Sequence, residues 1–361
     1  MTVHYGIIGC GMMGHEHLRN IALMEDAIAA VIFEPDDEMA ASAAKVAPQA
    51  IFVDSLEALL AHSPLDCLLI ASPNFCHADQ LEQIGNRVSL PILVEKPLFT
   101  DPSDLARMEN FRKRYQAPVW VAMEYRYMPP MQEFLKQADS FTGGIKMLTL
   151  MEHRFPFLVK VGNWNRFNQK SGGTLVEKCC HHFDLMRHIL KSDPVRVMAS
   201  ASQMVNHLDE IYDGQKSDIW DAGFVIVDFA NGTRALLELC MFAEGSEFME
   251  IFHAVGPQGK LEVKLPGPAR LWSGAKDKRP VPQLVRSQRN PCLPEKIDLP
   301  IDETILSAGD HNGATYHQHL RFIEVVRGKG QVEVTLDDGI WAVRIGQAAQ
   351  QSALSGEAIP F

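Results

Sequence analysis

The chain has 361 residues, 46% hydrophobic and 22% charged, with 34 Lys and Arg against 45 Asp and Glu and a net charge of −11. That length predicts two domains, each able to bury its own core, and the composition excludes a disordered or collagen-like chain. The acidic balance argues against nucleic acid or an anionic membrane as a partner, since both need a basic surface, but it leaves room for a locally positive pocket.

The seven cysteines are an odd number, none is in a Cys-x-x-Cys pair, and Cys179 and Cys180 are adjacent. Reduced thiols and a cytoplasmic location fit this better than a disulfide framework. The segment Met1-Thr2-Val3-His4-Tyr5 lacks a basic and then apolar leader, and no apolar run reaches about 18 residues. Neither a signal peptide nor a membrane span is expected.

From the start of the chain, strand-like and helix-like segments alternate. Tyr5 to Gly9 is a short apolar run ending in glycine, and His15 to Met24 has a helical period. Ala29 to Phe33 reads as a buried strand and Asp37 to Val46 as an Ala-rich helix. Asp66 to Ala71 is the next strand and Ala78 to Ile84 the next helix. Pro91 to Val94 and Pro118 to Met123 are strands flanking a helix from Ser103 to Tyr115. This alternation predicts an α/β Rossmann-type domain over residues 1–123, with a parallel sheet and helices on both faces.

Between the first strand and the first helix lies Gly9-Cys10-Gly11-Met12-Met13-Gly14, a G-x-G-x-x-G loop. Gly9 permits a tight turn, Gly11 lets the backbone approach a pyrophosphate, and Gly14 lets helix and strand pack closely. The helix N-terminus, with Met12 and Met13, then offers N–H groups to the anion. Glu34 follows Gly14 by 20 residues at the end of the second strand. A carboxylate there accepts from ribose hydroxyls and repels a 2′-phosphate, so NAD is expected as cofactor in preference to NADP.

After residue 124 the texture changes. Lys146 to Arg154 and Val195 to Gln203 alternate like half-exposed strands. Ala222 to Phe229 and Thr233 to Met241 flank Asn231-Gly232, which predicts a hairpin with a type I′ turn. Glu250 to Val255 and Lys260 to Lys264 form a second hairpin around Gln258-Gly259. Residues 266–300, rich in Pro and charge, read as a long surface loop. Tyr316 to Arg327 and Asp338 to Leu354 have helical period. An α+β domain with an open, mostly antiparallel sheet is therefore expected over residues 124–361. The helices of 311–361 are expected to pack back toward the first domain. An open sheet covers one face with its own helices, so a homodimer or homotetramer through the other face is expected.

Two further stretches carry a family resemblance. Val94-Glu95-Lys96-Pro97 follows a strand, and Gly172-Gly173-Thr174-Leu175-Val176-Glu177-Lys178-Cys179-Cys180-His181-His182-Phe183-Asp184 lies beyond it. With the glycine loop they resemble the Gfo/Idh/MocA oxidoreductases, which include inositol dehydrogenases and glucose–fructose oxidoreductase. The resemblance spans nearly the whole chain. Ser72-Pro73-Asn74 with His77 is similar to that family's fourth-strand loop, and Tyr125-Arg126-Tyr127 to its domain junction. The resemblance implies that Lys96 is catalytic and that an Asp-x-x-x-His pair falls on Glu177 and His181. Here the acid is one methylene longer, and Cys179 stands where the family has a small glycine.

Oxidising a secondary alcohol requires taking its hydroxyl proton while a hydride leaves. His181 suits the proton, the Lys96 ammonium suits the developing alkoxide, and Glu177 at i−4 would orient the imidazole from the same helix face. His182 is a neighbouring candidate substrate contact, as are Lys178, Arg126 and Arg154. Tyr316, with His311 and His317 less strongly, is a candidate for closing the pocket. Glu177 and His181 without a third ligand do not predict a metal site.

The stretch from Lys146 to Lys178 holds six Lys and Arg against Glu152 and Glu177. It suggests a cationic pocket for an anionic sugar. Within it, Trp164 and Arg166 are candidates for stacking on a sugar or holding the cofactor, together with Ser72, Asn74, His77 and Glu95. The leading expectation is an NAD-dependent oxidoreductase acting on a ring secondary alcohol of a sugar, polyol or sugar acid. A glycosidase using transient C3 oxidation with NAD recycled, and a non-catalytic NAD-sensing regulator, are the alternatives.

Overall fold

The computed structural model describes residues 2–272, 274–275 and 278–361. Strands β1 (Val3–Ile8), β2 (Ala27–Phe33), β3 (Ile51–Val53), β4 (Cys67–Ile70), β5 (Ile92–Val94) and β6 (Val119–Val121) form one sheet in the order β3-β2-β1-β4-β5-β6. Every pair in it is parallel. Helices α1 (Met12–Ala22), α2 (Asp37–Val46), α3 (Leu56–Leu60), α4 (His77–Gly85) and α5 (Asp104–Arg114) connect successive strands. All residues of β4 and β5 are buried, which is why both read as unbroken apolar runs. The strand order reverses between β1 and β4. A crevice outside their C-terminal ends follows from that reversal.

The rest of the chain builds a second sheet. Helix α6 (Pro129–Thr142) leads into β7 (Met147–His153). Short helices α7 (Asn168–Ser171) and α8 (Thr174–Glu177) precede α9 (Cys180–Leu190). Then come β8 (Pro194–Ser202), a small ladder of β9 (Ile211–Tyr212) and β10 (Gln215–Lys216), β11 (Ala222–Phe229), β12 (Arg234–Cys240), β13 (Glu250–Gly256) and β14 (Gly259–Leu265). Strands β15 (Gln283–Gln288) and β16 (Pro294–Asp298) follow. Helices α10 (Glu303–Ala308), α11 (Ala314–Val326) and α12 (Leu336–Ser355) and the short β17 (Ile359–Pro360) end the chain. Nine of these strands form one sheet, β16-β15-β14-β13-β7-β12-β11-β8-β17, in which only β7 and β12 run parallel. Helix α12 packs on β8 and α9 and reaches β6 of the first sheet, while α11 packs on α1.

Three local expectations need correction. Residues 266–300 are not one loop, because β15 and β16 extend the large sheet beside β14; Ser273, Lys276 and Asp277 of that stretch lie outside the described residues. Strands β15 and β16 are short and carry scattered charge, so their apolar signal is weak, and β16 is the edge of the sheet. The turn at Asn231-Gly232 is not type I′. Gly232 has φ +82°, but Asn231 does not share the positive φ that type I′ requires. Asn231 is tied instead to the end of α9, with its Nδ2 donating to the Leu190 carbonyl at 3.0 Å. Finally, the helix expected to carry both Glu177 and His181 is broken. Helix α8 ends at Glu177 and α9 starts at Cys180.

Candidate active site

A cavity of about 1000 Å³ opens where β1 and β4 lie side by side, lined by the glycine loop, Glu34, Ser72, Asn74, Glu95, Lys96 and Trp164. Gly9 turns the chain at φ +89°, and a Cβ there would lie 2.6 Å from the Ser72 backbone. Gly14 comes so close to the loop that a Cβ would meet the Gly9 carbonyl at 2.5 Å. Gly11 caps α1 with no side-chain hydrogen bond, so the first N–H groups of the helix face the cavity uncapped. A Cβ on Gly11 would meet nothing within 4 Å. The Glu34 carboxylate accepts from the Cys10 and Asp36 N–H groups, which fixes it at the cavity edge. A positive helix end, an open glycine cradle and a fixed carboxylate form a donor and acceptor set that fits a dinucleotide.

A smaller pocket of about 90 Å³ shares Met12, Met13, Lys96 and Lys160 with the large cavity. Lys96 follows β5, and its Nζ donates to the Glu177 carbonyl at 2.9 Å. Burial pulls its pKa down, but the charges of Glu177 and Glu95 outweigh this and raise it. The ammonium is therefore retained at neutral pH. Glu95, next to it, accepts from His17 Nε2 at 2.9 Å. His17 Nδ1 lies 2.8 Å from His319 Nε2, and His319 Nδ1 lies 3.2 Å from the Tyr5 hydroxyl. One set of neutral tautomers satisfies this whole buried row, with each group donating towards an ionised Glu95.

His181 is 2% exposed and lies in the smaller pocket. Its ring stacks on Tyr125 at 4.2 Å between centroids and 4° between planes. Burial, then the positive charges of Lys96 and Lys178, push its pKa well below the ordinary value. It is a neutral imidazole beside an ammonium. The expected hydrogen bond from His181 to Glu177 is not made. The break after Glu177 turns that carboxylate toward Lys160 Nζ, at 3.0 Å, and Asn74 Nδ2. His181 Nδ1 is buried without a partner.

Four of the six cations in the basic stretch face carboxylates. Lys160 pairs with Glu177 at 3.0 Å, and Lys178 with Glu152 at 2.9 Å. Arg154 lies 3.5 Å from Glu152, and Arg166 lies 2.8 Å from Glu210. The inference of a cationic pocket is therefore corrected. Sequence counting missed that these cations point inward onto carboxylates.

Several expected contacts fall outside the two cavities. Arg126 is buried, with its guanidinium on Asp184 and the Glu333 carbonyl, so it ties the junction segment to α9 and the approach to α12. Arg166 turns away onto Glu210 and the Leu158 carbonyl. His182 is fully buried against Glu152, with Nε2 at 3.1 Å. His77 holds the Pro97 and Ser72 carbonyls and so braces the walls from behind. Tyr316 packs against the core and His317. Trp164 does line the cofactor cavity, with Lys160 Nζ 4.4 Å from its ring. Arg154, Lys178 and His311 line the small pocket.

Sequence reading also missed four carboxylates. Glu16, Glu124 and His311 bring ligand atoms within 4.8 Å of one another. His311 Nδ1 sits 2.9 Å from Glu16 and 3.4 Å from Glu124. Despite burial, Glu124 and Glu16 raise its pKa to about 10, so the imidazolium itself stands where a cation would be held. Glu152 and Glu250 are buried opposite each other on β7 and β13. A sequence signal for both existed. Glu152 shares the inward parity of Leu148 and Leu150, and Glu250 that of Phe252 and Ala254.

Comparison with known proteins agrees with this architecture. Residues 3–123 match the model of an oxidoreductase family, NAD-binding Rossmann fold, and residues 142–361 match its C-terminal alpha/beta domain. The chain is 27% identical over 238 residues to inositol 2-dehydrogenase of Rhizobium meliloti (strain 1021), covering 66% of this chain and 68% of that protein. Its fold is similar to a myo-inositol dehydrogenase from Corynebacterium glutamicum ATCC 13032, with TM-score 0.76 and 20% identity over 100% of this chain and 99% of that one. It is also similar to a levoglucosan dehydrogenase in complex with NADH and levoglucosan, with TM-score 0.81 and 18% identity over 100% and 99%. No helix among the described residues is long and apolar enough to cross a membrane.

Proposed function

As a member of the Gfo/Idh/MocA oxidoreductase family, the chain is an enzyme acting on CH–OH groups, and we propose that it exchanges a hydride between NAD and a ring secondary alcohol of a neutral polyol or sugar. The observation that carries this reading is the seam between the two cavities, where the Lys96 ammonium and the neutral His181 face a polar pocket beside a dinucleotide-sized one.

Bound in the large cavity, the nicotinamide would supply the hydride-accepting carbon. Lys96, fixed by the Glu177 carbonyl, lowers the cost of alkoxide character on the substrate oxygen. His181, kept neutral by burial and by its cationic neighbours, accepts the hydroxyl proton. Glu177 acts through Lys96 and Lys160 rather than through His181. NAD is favoured over NADP because residues 33–42 bring Glu34 and Asp36 to the cavity and no Lys or Arg. The balanced charges of the small pocket favour a neutral ring over a sugar acid. Met147, Phe224 and Ile226 are exposed on the large sheet and suit a homo-oligomer formed over that face.

The test uses inositols, hexoses, hexuronic acids and nitrophenyl glycosides with NAD or NADP. We expect reduced cofactor from a neutral cyclic polyol or sugar, with kcat/KM at least about tenfold higher with NAD, since like charges at Glu34 oppose a 2′-phosphate. Nitrophenol release without net cofactor reduction would overturn the reading in favour of a glycosidase.

A further inference from the structure

Glu250 and Glu152 are cross-strand partners on β13 and β7, yet their environments differ. Glu152 takes the cations Lys178 at 2.9 Å and Arg154 at 3.5 Å, with the His182 ring at 3.1 Å. Glu250 faces the Tyr125 hydroxyl. Its Oε2 is buried without a hydrogen-bond partner, in the same pocket as Lys96 and His181. The residue is 1% exposed. An unpaired buried carboxyl oxygen is costly, and a ligand that completes it gains that cost back.

Resting on the dehydrogenase reading above, we propose that Glu250 is a specificity-determining residue, which binds a substrate hydroxyl on a ring carbon other than the reacting one. Tyr125 sets the spacing. Its ring stacks on the His181 imidazole, and the hydroxyl of the same ring faces Glu250. Tyr125 thus stands between the imidazole and the carboxyl, which line the pocket as two separate polar groups.

Arg154 narrows the ligand class. Its Nε, 3.5 Å from Glu152 Oε1, makes no hydrogen bond, and the residue lines the same pocket. A hydroxyl both donates and accepts, so a neutral polyol completes Glu250 and Arg154 together. A carboxylate on the ring would complete Arg154 but meet Glu250. An ammonium would complete Glu250 but meet Arg154 and Lys178.

Four neighbours from different elements govern the charge of Glu250. They are Glu152 from β7, Lys178 between α8 and α9, Tyr125 before α6 and His311 before α11. Burial, then the Glu152 charge, raise the Glu250 carboxyl to about 7. The ionised form accepts more strongly from a hydroxyl. Polyol affinity therefore rises as pH increases through 7.

The experiment titrates NADH-loaded wild type and Glu250→Gln with myo-inositol and its monodeoxy analogues between pH 6 and pH 8.5. NADH affinity and turnover are measured in parallel. We expect Glu250→Gln to bind NADH normally, to bind inositol at least about tenfold more weakly at pH 8, and to lose the pH dependence. The deficit should vanish for the deoxy analogue that lacks the contacted hydroxyl. Wild-type affinity and pH dependence in Glu250→Gln would overturn the Glu250 assignment and leave the dehydrogenase reading standing. If wild type neither binds nor oxidises any of these polyols or the neutral hexoses, both fall.

Discussion

Lys96→Ala is expected to lower kcat by about 10²–10³-fold, the usual cost of removing one group aimed at developing negative charge. NADH affinity should stay within a few-fold of wild type, because the glycine loop, the α1 terminus and Glu34, which would hold the dinucleotide, line the cavity from other elements. The lysine follows the fully buried β5 and is anchored by the Glu177 carbonyl. Glu177 and Glu95 keep it cationic despite burial. Lys96→Arg should not restore the rate, since a wide planar guanidinium cannot reproduce a point charge at that anchor. Steady-state cofactor reduction and NADH fluorescence titration check both parts. An Ala variant with wild-type kcat would remove Lys96 from the chemistry.

The second large effect concerns stability. Glu152→Ala is expected to destabilise the fold by about 3–5 kcal/mol, as removal of one partner from a buried ion pair usually does. Glu152 is fully buried, and Lys178, His182 and Arg154 all face it. Without it, the Lys178 and Arg154 charges repel one another and lose their nearest counter-charge. Burial works to raise the Glu152 pKa, yet those neighbours hold it well below the ordinary carboxylate range. Its contribution is therefore complete above the unfolded carboxylate value and fades progressively as pH falls from there through the lower folded one. The loss in Glu152→Ala should be largest near neutral pH and shrink in acid. Chemical unfolding at pH 7 and pH 4 measures this. The double variant Glu152→Leu, Lys178→Met should recover part of the loss, because it removes the pair together.

The fold was legible in the sequence where one physical cause dominated. The parallel sheet announced itself because its strands are buried on both faces and its helices carry the 3.6 period. The glycine loop was legible because its backbone conformations exclude side chains. The motif around Lys96 and His181 was legible as a family resemblance, and the structure brings both residues to one pocket. What the sequence hid was direction. Arg126 and Arg166 look like free cations in the text, yet each is closed by an acid distant in the chain, Asp184 and Glu210. The spacing of Glu177 and His181 implied a shared helix face, and a two-residue break between α8 and α9 removed it. Glu152 and Glu250 were hidden for the opposite reason. Charged residues in alternating strands are normally assigned to the solvent face, and only strict parity with Leu150 and Phe252 marks these two as inward.

Isotope transfer distinguishes direct hydride exchange with a ring carbon from every alternative. The protein is incubated with NAD and a cyclic polyol deuterated at the oxidised carbon, and the reduced cofactor is examined by mass spectrometry. One deuterium in the recovered NADH, a ketone product, and loss of both in Lys96→Ala are expected. Reduced cofactor without deuterium, or cleavage of a glycoside with NAD returned unchanged, would contradict that expectation.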